Sequence, residues 1–262
     1  MPFHQPESVR YYTFDLFAGE AITHAVFTRV GGVSKDHWTS LNVGLTVGDD
    51  PECVAENRRL SFQAANRPLE TLSDSWLMHG TDVFIYDSPR PSDSPLPPKA
   101  DIILTDNPEV TLFMRYADCA PILLFDPVKR VVGLAHSGWL GTVKKVGQVA
   151  VKTMQSRFGS DPADILAAIG PTISPDQYEV GADIVSSVEC AFGPDSSKVL
   201  PRINQAVHFD LWEANHMVLE QAGVGQIELA AICTARNPQD WFSHRASKGK
   251  TGRFGVLLAL NG

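Results

Sequence analysis

The sequence predicts an α/β (α+β) fold, a layered sandwich with a mixed β-sheet flanked by helices. Three observations lead there. Short β-type runs recur at 25–29, 82–86, 102–105, 111–115, 122–125, 131–135, 165–169 and 227–234. Helical rhythms alternate with some of them, and 131-VVGLAH-136 passes through a glycine turn directly into one. The 262 residues could form one large domain or two small ones, and 44% hydrophobic content can fill a substantial core. The one stretch of linker composition, 87-DSPRPSDSPLPPK-99, carries five prolines in thirteen residues. Proline at that density favours extended chain and is excluded from a central sheet. With apolar strands on both sides it reads as an exposed excursion, either a lid or inert surface, inside a single domain spanning 1–262.

The helices carry their own signals. After Gly138, apolar residues at Val143, Val146, Val149 or Ala150, Met154 and Phe158 keep a 3.6-residue rhythm that ends at Gly159. Asp210 and Glu213 have capping-box spacing ahead of Leu211, Trp212, Ala214, Val218 and Leu219, and Gly223 predicts the stop. Asn57 and Arg58 fall in another predicted helix.

Composition removes several classes. With 22 basic against 30 acidic residues the formal charge is −8, and the only basic cluster, 247-SKGKTGR-253, is too short for a nucleic-acid surface but could grip one phosphate. No run approaches the roughly 18 apolar residues of a membrane span, and the N-terminus lacks a leader pattern. Cys53, Cys119, Cys190 and Cys233 are scattered without a C-x-x-C pair, which predicts reduced thiols in the cytoplasm.

Candidate chemistry gathers at three distant residues, each expected at a strand end: His79 after Trp76-Leu77-Met78, Cys119 within 115-RYADCAPILLF-125, and His136 closing 131-VVGLAH-136. Ligands at the ends of adjacent strands can converge on one point. Two imidazoles and a thiolate are zinc chemistry, and three protein ligands with a fourth position left to water or substrate is the catalytic form. Copper is the alternative metal, since loading follows availability. Asp118 could orient a ligand, accept a proton or cap a turn. The helix start behind Gly138, followed by Lys144 and Lys145, offers an anion site. Asn42, Arg58 and Arg245 are further polar candidates.

At these residues the chain resembles the YfiH-type family, long labelled laccase-domain or polyphenol oxidase proteins and regarded as purine nucleoside phosphorylases. The likeness runs through 40-SLNVGLTVGDDP-51, 57-NR-58, 79-HG-80, 117-ADCAPILL-124, 136-HSGWLGT-142, 169-IGPTIS-174, 178-YEVG-181, 243-SHR-245 and 251-TGR-253. It implies zinc on His79, Cys119 and His136, and a nucleoside or phosphate contact at Arg58 with Asn42 and Arg245 beside it. It also implies phosphorolysis of purine nucleosides, including adenosine, inosine, guanosine and methylthioadenosine, with adenosine deamination as a second activity. Where the family usually reads H-A-G-W-R-G this chain has Ser137 and Leu140, and the lost charge is expected to weaken a phosphate or shift substrate choice. Two rival chemistries use the same atoms. One is a hydrolase with Cys119 as nucleophile and an imidazole as base, for example one that edits a cell-wall precursor. The other is copper-dependent phenol oxidation, although the eight histidines include no H-x-H pair.

Overall fold

Side chains alternate across a strand, so a sheet covered on both faces needs apolar residues at every position. The computed structural model, which describes residues 2–91, 94 and 96–262, contains two such sheets where the sequence predicts one. In spatial order, the first joins Phe3–His4, Tyr11–Tyr12, Ile22–Phe27, Phe254–Leu260, Thr111–Tyr116 and Leu72–Asp74. The second joins Gln226–Leu229, Leu166–Ile169, Ala120–Asp126, Val131–Ser137, Ile102–Thr105 and Val83–Ile85. Both are mixed, mainly antiparallel, with a parallel partner at one edge of the first and at both edges of the second.

The sheets face each other across one core. Val26, Leu112, Met114, Tyr116, Val256 and Leu258 of the first meet Ile103, Leu123, Phe125, Val132, Leu134 and Ala168 of the second. The alternate residues of the second sheet, among them Ile102, Leu104, Ile122 and Leu124, pack under Val146, Ala150, Val151 and Met154 of the helix Val146–Phe158. The alternate residues of the first, Ala25, Phe27, Phe113 and Leu257, pack against Leu41 and against Phe62 of the helix Pro51–Ala64. The layers therefore run helix, sheet, sheet, helix.

Several expected elements need correction. The helix after Gly138 is two helices, Trp139–Val143 and Val146–Phe158, because Lys145 takes a left-handed φ of 61° that breaks the ladder. The run 25–29 is the strand Ile22–Phe27, and 227–234 ends as a strand at Leu229. The patterning singled out neither the helix Ala182–Phe192 nor the strand Phe254–Leu260, although the latter pairs with two neighbours in the first sheet. Other readings hold in detail: Asp210 accepts from the backbone N–H groups of Trp212 and Glu213 and opens Leu211–Gln221, and Arg58 lies on Pro51–Ala64. Of the excursion 87–99, residues 92, 93 and 95 lie outside the described residues.

His24, on Ile22–Phe27, accepts a hydrogen bond at Nε2 from the Phe14 backbone at 2.8 Å. Burial, with a smaller contribution from His4, lowers its pKa to about 4. The folded state thus resists a proton that the unfolded chain accepts near pH 6.5. Stability should be intact above that pH and fall as pH drops toward about 4. Urea unfolding from pH 7 to 4 should show a shallower loss in His24→Gln than in the unaltered protein.

Candidate functional site

The sheets are joined by crossings, and the site residues stand on them. Between Leu72–Asp74 in the first sheet and Val83–Ile85 in the second, the chain passes through His79. Between Thr111–Tyr116 and Ala120–Asp126 only Ala117, Asp118 and Cys119 make the crossing, which explains why two polar groups interrupt an apolar run there. His136, near the end of Val131–Ser137, shares a face with Val132 and Leu134 and so points between the sheets. The donor atoms of His79, Cys119 and His136 all lie within 4.8 Å of one another. One expectation is corrected: His79 is not at a strand end but in a turn, exposed, with a left-handed φ of 57°.

The residue that holds this turn went unnoticed in the sequence. Asp101, fully buried, accepts from the backbone N–H groups of Met78, His79 and Gly80 at 2.9, 3.0 and 2.8 Å. Its Oδ1 also lies 3.0 Å from His136 Nδ1. Burial raises the pKa of Asp101, but these hydrogen bonds, that of His136 foremost, outweigh it and leave the net shift downward. Gly138 leaves room for the cluster, because a Cβ there would meet Cys119 Sγ at 2.8 Å.

The donors fit a metal ion. Zinc bonds to nitrogen and sulfur of about 2.0–2.3 Å place tetrahedral donors ~3.5 Å apart, within the 4.8 Å that bounds the donor separations here. Burial, then the neighbouring Asp118, pushes the Cys119 thiol up to about 12. The protein's own groups therefore keep the sulfur protonated, and a bound cation is what would make it a thiolate.

The same residues line a cavity of about 670 Å³. On another part of its wall three guanidiniums surround one buried carboxylate, with Arg58, Arg90 and Arg115 lying 3.5, 3.2 and 3.3 Å from Asp74. Three positive charges against one negative leave an excess of two. Burial lowers Arg58 to about 10, so it stays charged, and its Nη2 has no hydrogen-bond partner among the described residues. Arg90, Ser94, Leu96 and Pro97 place the proline-rich excursion on the cavity wall.

The other sequence candidates fare differently. Asn42 is fully buried, and its amide is spent on Gly44, Asp49 and the Arg253 backbone, so it shapes the cavity's edge without lining it. Both Asp118 oxygens are engaged at 2.6 Å, by Thr234 Oγ1 and by the Arg245 backbone N–H, so this carboxylate anchors a loop. Arg245 lies on the wall with its guanidinium donating to the Glu179 carbonyl and stacked over Tyr178. Trp139–Val143 is too short to make an anion site, and Lys145 lies over Phe192. Leu140 is off the cavity wall, although its neighbours Gly138 and Trp139 line it. Of the basic cluster 247–253, Arg253 lines the cavity.

A family model described as a multi-copper polyphenol oxidoreductase laccase matches residues 23–261. The chain belongs to this family. Among its relatives, the Deinococcus radiodurans protein named purine nucleoside phosphorylase is 37% identical over 240 residues, 92% of this chain and 90% of the relative. Escherichia coli YfiH, also named purine nucleoside phosphorylase, is 32% identical over 236 residues, 89% and 91% of the two chains. The crystal structure of YlmD from Geobacillus stearothermophilus superposes with a TM-score of 0.92 at 32% identity, covering 100% of this chain and 99% of the other. The family's mixed α/β architecture is the one found here.

Gly138→Ala drives a methyl group into Cys119 Sγ. Its zinc affinity, measured by chelator competition, should fall on the order of tenfold or more while the circular dichroism spectrum is kept.

Proposed function

We propose that this protein is a zinc-dependent purine nucleoside phosphorylase of the reducing cytoplasm, acting on adenosine, inosine, guanosine and methylthioadenosine. One observation carries the reading: a single cavity brings together a three-donor metal cluster and an arginine group with two uncompensated positive charges. Wall residues from Gly44 to Arg253 come from nearly the whole length of the chain, which supports one catalytic unit over 1–262. The four free thiols support the compartment. Among the described residues no helix is long and apolar enough to cross a membrane.

Phosphorolysis forms a bond between a phosphate oxygen and the anomeric carbon while the bond to the purine nitrogen breaks, giving free base and ribose 1-phosphate, or 5-methylthioribose 1-phosphate from methylthioadenosine. The attacking dianion needs fixed cationic donors, and forked guanidiniums suit it. Arg58 and Arg115, with Arg90 from the excursion, hold that position with the excess of positive charge, whereas Arg245 spends its Nη1 on the Glu179 carbonyl. Trp76, Leu77, Tyr178 and Leu211 give the nucleoside an apolar wall. His79, Cys119 and His136 would hold the zinc, which when bound would supply Lewis acidity toward a substrate oxygen. The names of the relatives support the same reaction. A Cys119 nucleophile is disfavoured, because burial pushes the thiol up to about 12.

Incubation with each nucleoside should release base and ribose 1-phosphate only when phosphate is present, with conversion of adenosine to inosine followed in the same chromatograms. No base from any nucleoside defeats the reading. Arg58→Ala and Arg115→Ala should each raise the KM for phosphate about 10–100-fold, the loss of one charge-assisted contact.

A further inference from the structure

We propose that Asp101 is the positioning residue of the metal centre: one buried carboxylate fixes both the tautomer of His136 and the turn that carries His79, and so sets the affinity for the ion. This rests on the metal reading above and reaches residues that no resemblance or comparison assigns.

An ionised carboxylate only accepts hydrogen bonds, so the 3.0 Å contact between Asp101 Oδ1 and His136 Nδ1 requires the hydrogen to sit on Nδ1. The Nε2 lone pair is then free for a metal, which is the tautomer that a ligand imidazole needs. The Asp101 carbonyl also accepts from the His136 backbone at 2.8 Å, fixing the ring's point of attachment.

The same two oxygens organise the second ligand. Oδ1 takes the His79 N–H, while Oδ2 takes those of Met78 and Gly80. Three donors converging on one group hold His79 in a left-handed conformation that a β-carbon disfavours. Asp101 is thus the link between a ligand on a strand of the second sheet and a ligand on an exposed turn. Asparagine cannot replace it. If the amide nitrogen took the Oδ1 place it would face the His79 N–H and ask His136 to carry its hydrogen on Nε2. In the Oδ2 place it would face the Met78 and Gly80 donors.

The full-length chain is to be titrated with zinc against a competing chelator, in the unaltered form and as Asp101→Asn. The variant should bind about 10–100-fold more weakly while unfolding cooperatively. Nitrogen NMR of the metal-free unaltered protein should show the Nδ1–H tautomer at His136. Equal zinc affinity in the two forms overturns the proposal and leaves the metal reading standing. An unaltered protein that takes up no zinc overturns both. Should the variant not fold, the His136 tautomer decides: hydrogen on Nε2 in the unaltered protein overturns the proposal.

Discussion

Apolar burial between the two sheets is the constraint to which the rest of the molecule answers. Met114, Tyr116 and Leu258 on one face and Leu123, Val132 and Leu134 on the other are all within 1% of fully buried, and each such side chain contributes about 1.5–3 kcal/mol. Two sheets so joined must be linked by chain that leaves one and enters the other. Such segments lie at the open end of the core, where a polar side chain keeps contact with the cavity. Cys119 sits on the shorter crossing and His79 on the longer, and His136 reaches the same end along a strand. The site is thus a consequence of how the layers are connected.

Two buried carboxylates at that end serve opposite electrostatic purposes. Burying a charge is costly unless it is compensated. Asp101 is compensated by three backbone N–H groups and an imidazole, an arrangement that uses it up locally. Asp74 is outnumbered by Arg58, Arg90 and Arg115 and holds them together at a spacing that their mutual repulsion would otherwise widen. The cavity between them therefore has one region complementary to a cation and another complementary to an anion.

What the sequence made legible was mostly local. The Asp210 cap, the helix bearing Arg58 and the strands from 102 to 135 are written in short-range patterns, and the structure contains them. The strand Phe254–Leu260 was not legible, because a continuous apolar run reads equally as helix or strand when both its faces are covered. Asp101 precedes one short strand and Asp74 ends another, and nothing in one dimension tells a buried, shared carboxylate from a turn residue. Asn42 shows the converse. Its motif marked it out, but its amide is consumed in holding Gly44 and Arg253. Arg115 did leave a trace, a charged residue inside the buried strand Thr111–Tyr116.

The oxidase wording attached to the family can be weighed against the same geometry. A centre that relays electrons among several coppers draws on many imidazoles gathered in groups. Among the described residues, His79, Cys119 and His136 form the one cluster able to hold an ion. Other histidines are occupied elsewhere: His24 accepts from the Phe14 backbone, His208 Nδ1 lies 2.7 Å from the Pro175 carbonyl, and His4 Nε2 lies 2.9 Å from Thr13 Oγ1. A single His/Cys/His cluster can take copper as well as zinc, since copper competes strongly for nitrogen and sulfur donors. The arginine group favours the phosphate reading over the phenol one. An uncharged phenol gains nothing from two uncompensated positive charges on the cavity wall, whereas a phosphate dianion matches them.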